Sequence, residues 1–180
     1  MKKTSLFPVL MLLCLLFLQS AAAETRQGVI VLEGMEEPIE ETRFESEQGF
    51  SFWVANDRFS VQEQTGPKAG TVIRSLYLDD SMTLMPCTPE EAEKCLTESG
   101  MALSEPRGQL ELQSEYKNGA FHFITLVFDN GHFLTAEGTY SAESADGTSK
   151  YFKRILDSIC FLPSTVPDPS PVSTSAEGQN

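Results

Sequence analysis

The 180-residue sequence predicts an α+β domain: an antiparallel sheet of about six or seven strands, covered by helices on its faces. Three observations predict it. Residues 121–128 are apolar on both faces of a strand, with Phe121, Phe123 and Val127 on one side and Ile124, Leu126 and Phe128 on the other, so something must cover each face. Short runs of period-two alternation recur between Gly, Asn and Asp turn signals. Two segments, near residues 89–99 and 148–159, carry helix signals instead.

The elements follow in chain order. Lys2 and Lys3, the apolar stretch from Leu6 to Leu18, and Ala21-Ala22-Ala23 have the make-up of an export leader, with the cut expected before Glu24. Its apolar stretch is too short for a membrane anchor, and Leu13 stands before Cys14 where a lipidation site needs a small residue. Residues 24–162 are then one α+β domain. Val29 to Leu32 predict a strand, and the acid-rich stretch from Glu33 to Glu47 a solvated edge or loop without the spacing of a calcium loop. Phe50, Phe52 and Val54 alternate with Ser51 and Trp53 as a half-buried strand; Asn56-Asp57 turns the chain, and Phe59 and Val61 resume the alternation. Thr71 to Leu78 and Thr83 to Met85 predict two more strands.

Thr88, Pro89 and Glu91 form a capping box with proline at the first helical position, Ala92, Cys95 and Leu96 share a face, and Gly100 stops the helix. From residue 109 to 140 a three-stranded meander is expected. Asn118-Gly119 is a hairpin turn that pairs Tyr116 with Phe121 and Glu115 with His122, and Asp129-Asn130-Gly131 turns the chain again. Tyr151, Phe152, Ile155, Leu156 and Ile159 form the apolar stripe of the closing helix. Residues 163–180, rich in Pro, Ser and Thr, are expected to stay disordered.

Charge and motifs exclude more than they identify. All 26 acids lie after residue 23, so removing the leader leaves 11 bases and a net charge of −15. Nucleic-acid binding needs clustered Lys and Arg and is not expected. After leader removal no apolar run reaches a membrane span. There is no G-x-S-x-G, H-E-x-x-H, phosphate-binding loop, dinucleotide fingerprint or C-x-x-C, and no metal site or cofactor is expected. His122 and His132 fall at opposite ends of the meander, too far apart to share an ion. Cys87, Cys95 and Cys160 allow one disulfide, with Cys87–Cys95 the favoured pair if Cys87 curls back over the first helical turn. The candidate ligand or partner surface comprises Trp53, Asp79, Asp80, Glu115 and His122: a lone tryptophan, an acid pair at a strand end, and a cross-strand carboxylate–imidazole pair. Each has a structural reading beside the functional one, namely a core cap, a solvated turn and an ordinary cross-strand contact.

Two stretches carry a family resemblance. Gly49-Phe50-Ser51-Phe52-Trp53-Val54 with Asp57-Arg58-Phe59 resembles the opening hairpin of PsbP-like domains, and Lys153 to Phe161 resembles their closing helix. The resemblance implies an α/β/α layered domain and an accessory or docking role rather than one shared catalytic set. The expected function is an exported, non-enzymatic binding domain, secreted or periplasmic, acting on a protein or envelope partner whose basic surface would complement the acidic chain. A small secreted hydrolase built on dispersed residues is the alternative, and a protease inhibitor presenting the Cys87–Cys95 segment a third.

Overall fold

The computed structural model describes residues 23–66 and 69–163; the expected leader cut and polar tail lie outside or at the margins of these residues. Within them, ten strands form two antiparallel sheets. The smaller contains β1 (Thr25–Leu32), β2 (Met35–Ser46), β3 (Phe50–Val54) and, at its far edge, β10 (Cys160–Phe161), in the order β1-β2-β3-β10. The larger contains β4 (Phe59–Gln64), β5 (Gly70–Ser75), β6 (Ser81–Cys87), β7 (Arg107–Lys117), β8 (Ala120–Asp129) and β9 (His132–Ser141), in the order β4-β5-β6-β9-β8-β7. The described residues hold two helices, α1 (Pro89–Ser99) and α2 (Ala145–Asp157).

This corrects the expected α+β, α/β/α arrangement, with its single sheet under helices on both faces. The protein is mostly β. The sheet is divided because the β1-β2-β3 meander takes β10, far along the chain, as its neighbour, Cys160 opposite Ser51 and Phe161 opposite Phe50, whereas β4-β5-β6 joins the later meander through β6 and β9. Both linkages are distant in sequence. The main core accordingly draws on both sheets and α2: Ile30, Ile39, Phe50 and Phe52 from one sheet, Phe59, Ile73, Met82, Leu84 and Leu134 from the other, and Tyr151, Phe152, Ile155 and Leu156 from the helix. Much of the larger sheet's second partner is therefore the smaller sheet, not a helix layer. α1 covers one end of the opposite face, where Ala92 and Leu96 pack with Leu126, Phe128, Leu110 and Phe133. β8 is buried on both faces over Leu126–Phe128, with Thr125 buried beside them, and half-buried over Phe121–Ile124, beyond the reach of α1.

The local signals for α1 are realised. Thr88 Oγ1 accepts from Glu91 N–H at 3.2 Å, a Glu91 carboxylate oxygen accepts from Thr88 N–H at 2.8 Å, and Gly100 takes a left-handed conformation at φ 67°. Asn118-Gly119 makes the β7–β8 turn with both residues at positive φ, and pairs Tyr116 with Phe121 and Glu115 with His122. Asn130-Gly131 makes the next turn. The acid-rich stretch is not a loop. It is the 12-residue β2, in which Glu41 is 2% exposed.

Glu41 survives burial because three guanidinium N–H groups reach it. Arg26 Nε and Arg154 Nε donate at 2.8 Å and Arg154 Nη2 at 2.9 Å, and Arg154 Nη1 donates to the Val29 carbonyl. α2 is thereby clamped to the β1–β2 hairpin. Gly28 lies directly under the clamp, where a Cβ would collide with the Arg154 guanidinium. Burial works against the Glu41 charge, but the bonds from Arg154 and Arg26 outweigh it and hold the carboxyl below its ordinary value.

Candidate functional site

A cleft of about 460 Å³ opens at one end of the molecule. Four segments meet there: the tip of the β1–β2 hairpin, the turn into β4, the β5–β6 loop and the first turns of α2. The hairpin tip is a two-residue turn with Glu33 at φ 50° and Gly34 at φ 81°. It is tied to α2 by the Glu33 N–H, which donates to Asp146 Oδ2 at 3.1 Å. On the other side, Tyr77 Oη donates to the Asp57 carbonyl at 3.0 Å, so the β5–β6 loop is fastened to the turn before β4.

The lining has two characters. Leu32, Met35, Phe59, Tyr77 and Leu78 supply apolar surface, and Glu33, Glu37, Glu143 and Asp146 supply carboxylates against the single guanidinium of Arg58. Met35 is 62% exposed and Tyr77 71%, large for apolar groups with no partner element. Tyr151, in α2, lines the cleft while itself nine-tenths buried, and its hydroxyl has no hydrogen-bond partner among the described residues. Burial raises the Tyr151 phenol above its ordinary value; Arg58 pulls it down, and Asp57 and Glu37 push it up. The hydroxyl is therefore protonated at neutral pH.

The residues singled out in the sequence are placed elsewhere. Trp53 is half-buried under Arg26, whose guanidinium carbon lies 4.5 Å from the ring centroid, and its backbone N–H donates to Ser158 Oγ at 2.9 Å. Asp80 is 2% exposed and accepts from Ser141 N–H at 2.9 Å and Thr148 Oγ1 at 2.7 Å, anchoring the entry to α2, whereas its neighbour Asp79 faces solvent. The acid pair is thus divided between a structural anchor and an exposed turn.

Glu115 and His122 do stand opposite one another, and they line a polar groove of about 380 Å³ with Ser81, Glu137 and Thr139. Among the described residues no hydrogen bond joins the imidazole to a carboxylate or a hydroxyl, and no group of three or more His, Cys, Asp or Glu side chains could hold a metal ion. The relay that nucleophilic hydrolysis needs is not assembled there.

The expected Cys87–Cys95 bridge is not formed; Cys87, Cys95 and Cys160 are free thiols. Burial, with Cys95 and Glu91 adding to it, pushes the Cys87 thiol up to about 11, so it carries almost no thiolate at neutral pH and is a poor nucleophile. No helix among the described residues is long and apolar enough to cross a membrane.

The cleft itself is unmarked in the sequence. Leu76-Tyr77-Leu78 has the composition of a strand end, and Tyr151 has the spacing of a core stripe. Only the exposure of Tyr77 and Leu78 beyond the end of β5 distinguishes them, and exposure is a property of the fold. The sequence matches no family model and no curated protein with significance.

Proposed function

We propose that the chain is an exported, non-enzymatic binding or accessory domain that engages a protein or envelope component outside the cytoplasm, and that the cleft is where it does so. The observation that carries this reading is the cleft's apolar lining, which continues onto a rim of exposed Met35, Tyr77 and Leu78. A concave apolar surface with a few convergent polar groups is the usual form of a binding site, and exposed apolar patches on soluble domains mark interaction surfaces. The leader-like composition of the first 23 residues, the acidity of the chain expected after their removal, and the use of Asp80 as a buried anchor for Ser141 and Thr148 support the same reading.

The test compares the mature chain with a Met35→Ser, Leu78→Ser variant, each immobilised and exposed to envelope extract. Both substitutions fall on exposed side chains, so the fold should persist by circular dichroism. The expected result is a component held by the parent chain, released by raised salt, and not held by the variant. Equal retention by the two chains, or retention by neither, overturns the reading.

A further inference from the structure

The cleft holds more carboxylate than it neutralises. Glu33, Glu37 and Glu143 line it, and among the described residues none of the three side chains has an ion-pair or hydrogen-bond partner. Asp146 is occupied, with Lys150 Nζ at 2.9 Å and the Glu33 N–H at 3.1 Å. Arg58 is the one guanidinium in the lining, and Asp57 lies 3.5 Å from its Nε. The first turn of α2 has no side-chain cap, because Ser144 bonds back to Ser141 instead. Its N–H groups contribute roughly half a positive charge, which Asp146 in that same turn offsets. The balance stays negative, and low-dielectric walls focus such a field into the opening.

Tyr151 is the second, independent observation. It is 7% exposed, and its buried hydroxyl has no partner among the described residues. A phenol oxygen can accept an N–H as well as donate its own proton, so a cation seated in the cleft brings the partner that this group lacks.

We propose that the cleft receives a basic side chain of the protein partner. Its ammonium or guanidinium sits among Glu33, Glu37 and Glu143, and its aliphatic stem lies along Leu32, Met35 and Phe59. Lysine and arginine are built for such a site, with an apolar stem and a charged head. A protein source, rather than a free amine, follows from the rim: Tyr77 and Leu78 extend apolar surface beyond what a small amine would cover, and the net charge of −15 on the mature chain complements a basic partner. The inference rests on the cleft being the docking site.

The experiment is an NMR titration of the mature chain with four probes. These are a capped leucine-lysine-leucine tripeptide, the same peptide with norleucine or with glutamate in place of lysine, and n-butylamine. The lysine peptide should shift the methyl signals of Leu32, Met35 and Leu78, bind at least tenfold tighter than the norleucine peptide, and weaken as salt rises. In a Glu37→Gln, Glu143→Gln variant that tenfold preference should vanish while norleucine-peptide binding persists. Tyr151→Phe, which removes only the unpartnered hydroxyl, should weaken the lysine peptide severalfold with an unchanged thermal midpoint. Equal binding of lysine and norleucine peptides, or preference for glutamate, overturns the cation and leaves the docking reading intact. Butylamine binding as tightly as the lysine peptide overturns the protein source. No shift with any probe overturns the docking reading itself.

Discussion

Glu41 shows how one side chain can set the stability of this molecule and its response to acid. Its carboxylate is almost wholly buried, yet the two guanidinium groups that satisfy it keep about a third of their own surface in water, Arg26 at 37% and Arg154 at 30% exposure. Glu41→Gln leaves both cations without a counter-charge. The expected loss is about 2–3 kcal/mol, below the ~3–5 of a fully buried pair because the guanidiniums can turn to solvent. The acid response follows from the direction of the shift. The folded carboxyl titrates below its ordinary 4.5, so its contribution is complete above that value and is lost as pH falls through the lower, folded value. The stability gap between parent and Glu41→Gln, measured by urea unfolding, should be flat above about pH 5.5 and narrow below 4.5. A gap that widens on acidification would show that the two arginines do not hold the carboxylate in its charged form. None of this is legible in the sequence. There Glu41 is one acid among seven between Glu33 and Glu47, and only the arrival of Arg154, 113 residues away, separates it from its solvated neighbours.

At the scale of elements, legibility tracks how local the determining contacts are. The α1 capping box spans four residues and the Asn118-Gly119 turn two, and both are present as expected. α2 starts at Ala145 rather than near Thr148, because the polar run from Ser141 closes on itself through Ser141 and Ser144 and leads directly into the helix. Two glycines test how far local preference decides. Gly147 sits in the first turn of α2, and a Cβ added there would have nothing within 4 Å, so Gly147→Ala meets no obstacle and gains helix propensity of about 0.5 kcal/mol. Gly138, in β9, lies under the Phe123 ring, where a Cβ would come within 2.5 Å of ring carbons and 2.9 Å of the Ser81 carbonyl. There the backbone oxygen cannot retreat without breaking the β6–β9 ladder, and Gly138→Ala should cost about 1–3 kcal/mol despite alanine's better propensity. Thermal midpoints should move in opposite directions for the two substitutions; a stabilising Gly138→Ala would mean that the Phe123 ring and the Ser81 carbonyl both give way.

The partition into two sheets belongs to the whole molecule, and alternation alone does not contain it. Period two reports which face of a strand is buried, not which strand lies beside it. Phe50, Phe52 and Val54 carry the same pattern whether their neighbour is β4 or β10. The doubly apolar β8 demands cover on each face, and the fold supplies it only over Leu126–Phe128, from unlike sources: α1 on one side, and on the other α2 and the smaller sheet; Phe121–Ile124 stay half-buried. A single core spanning both sheets has a consequence for unfolding. Trp53, the only tryptophan, reports on the smaller sheet, where it lies between Arg26 and the end of α2, while far-ultraviolet dichroism averages over both helices and both sheets. Neither sheet can separate without exposing Phe50, Phe52, Phe152 and Ile73 together, all at most 2% exposed. Their burial at roughly 25 cal/mol per Å² of apolar surface couples the two halves far more strongly than thermal energy. Tryptophan fluorescence and far-ultraviolet dichroism should therefore trace one coincident urea transition. An earlier loss of the tryptophan signal would show that the smaller sheet opens by itself, and since the tip of its β1–β2 hairpin forms one wall of the cleft, that opening would dismantle the docking site before the larger sheet unfolds.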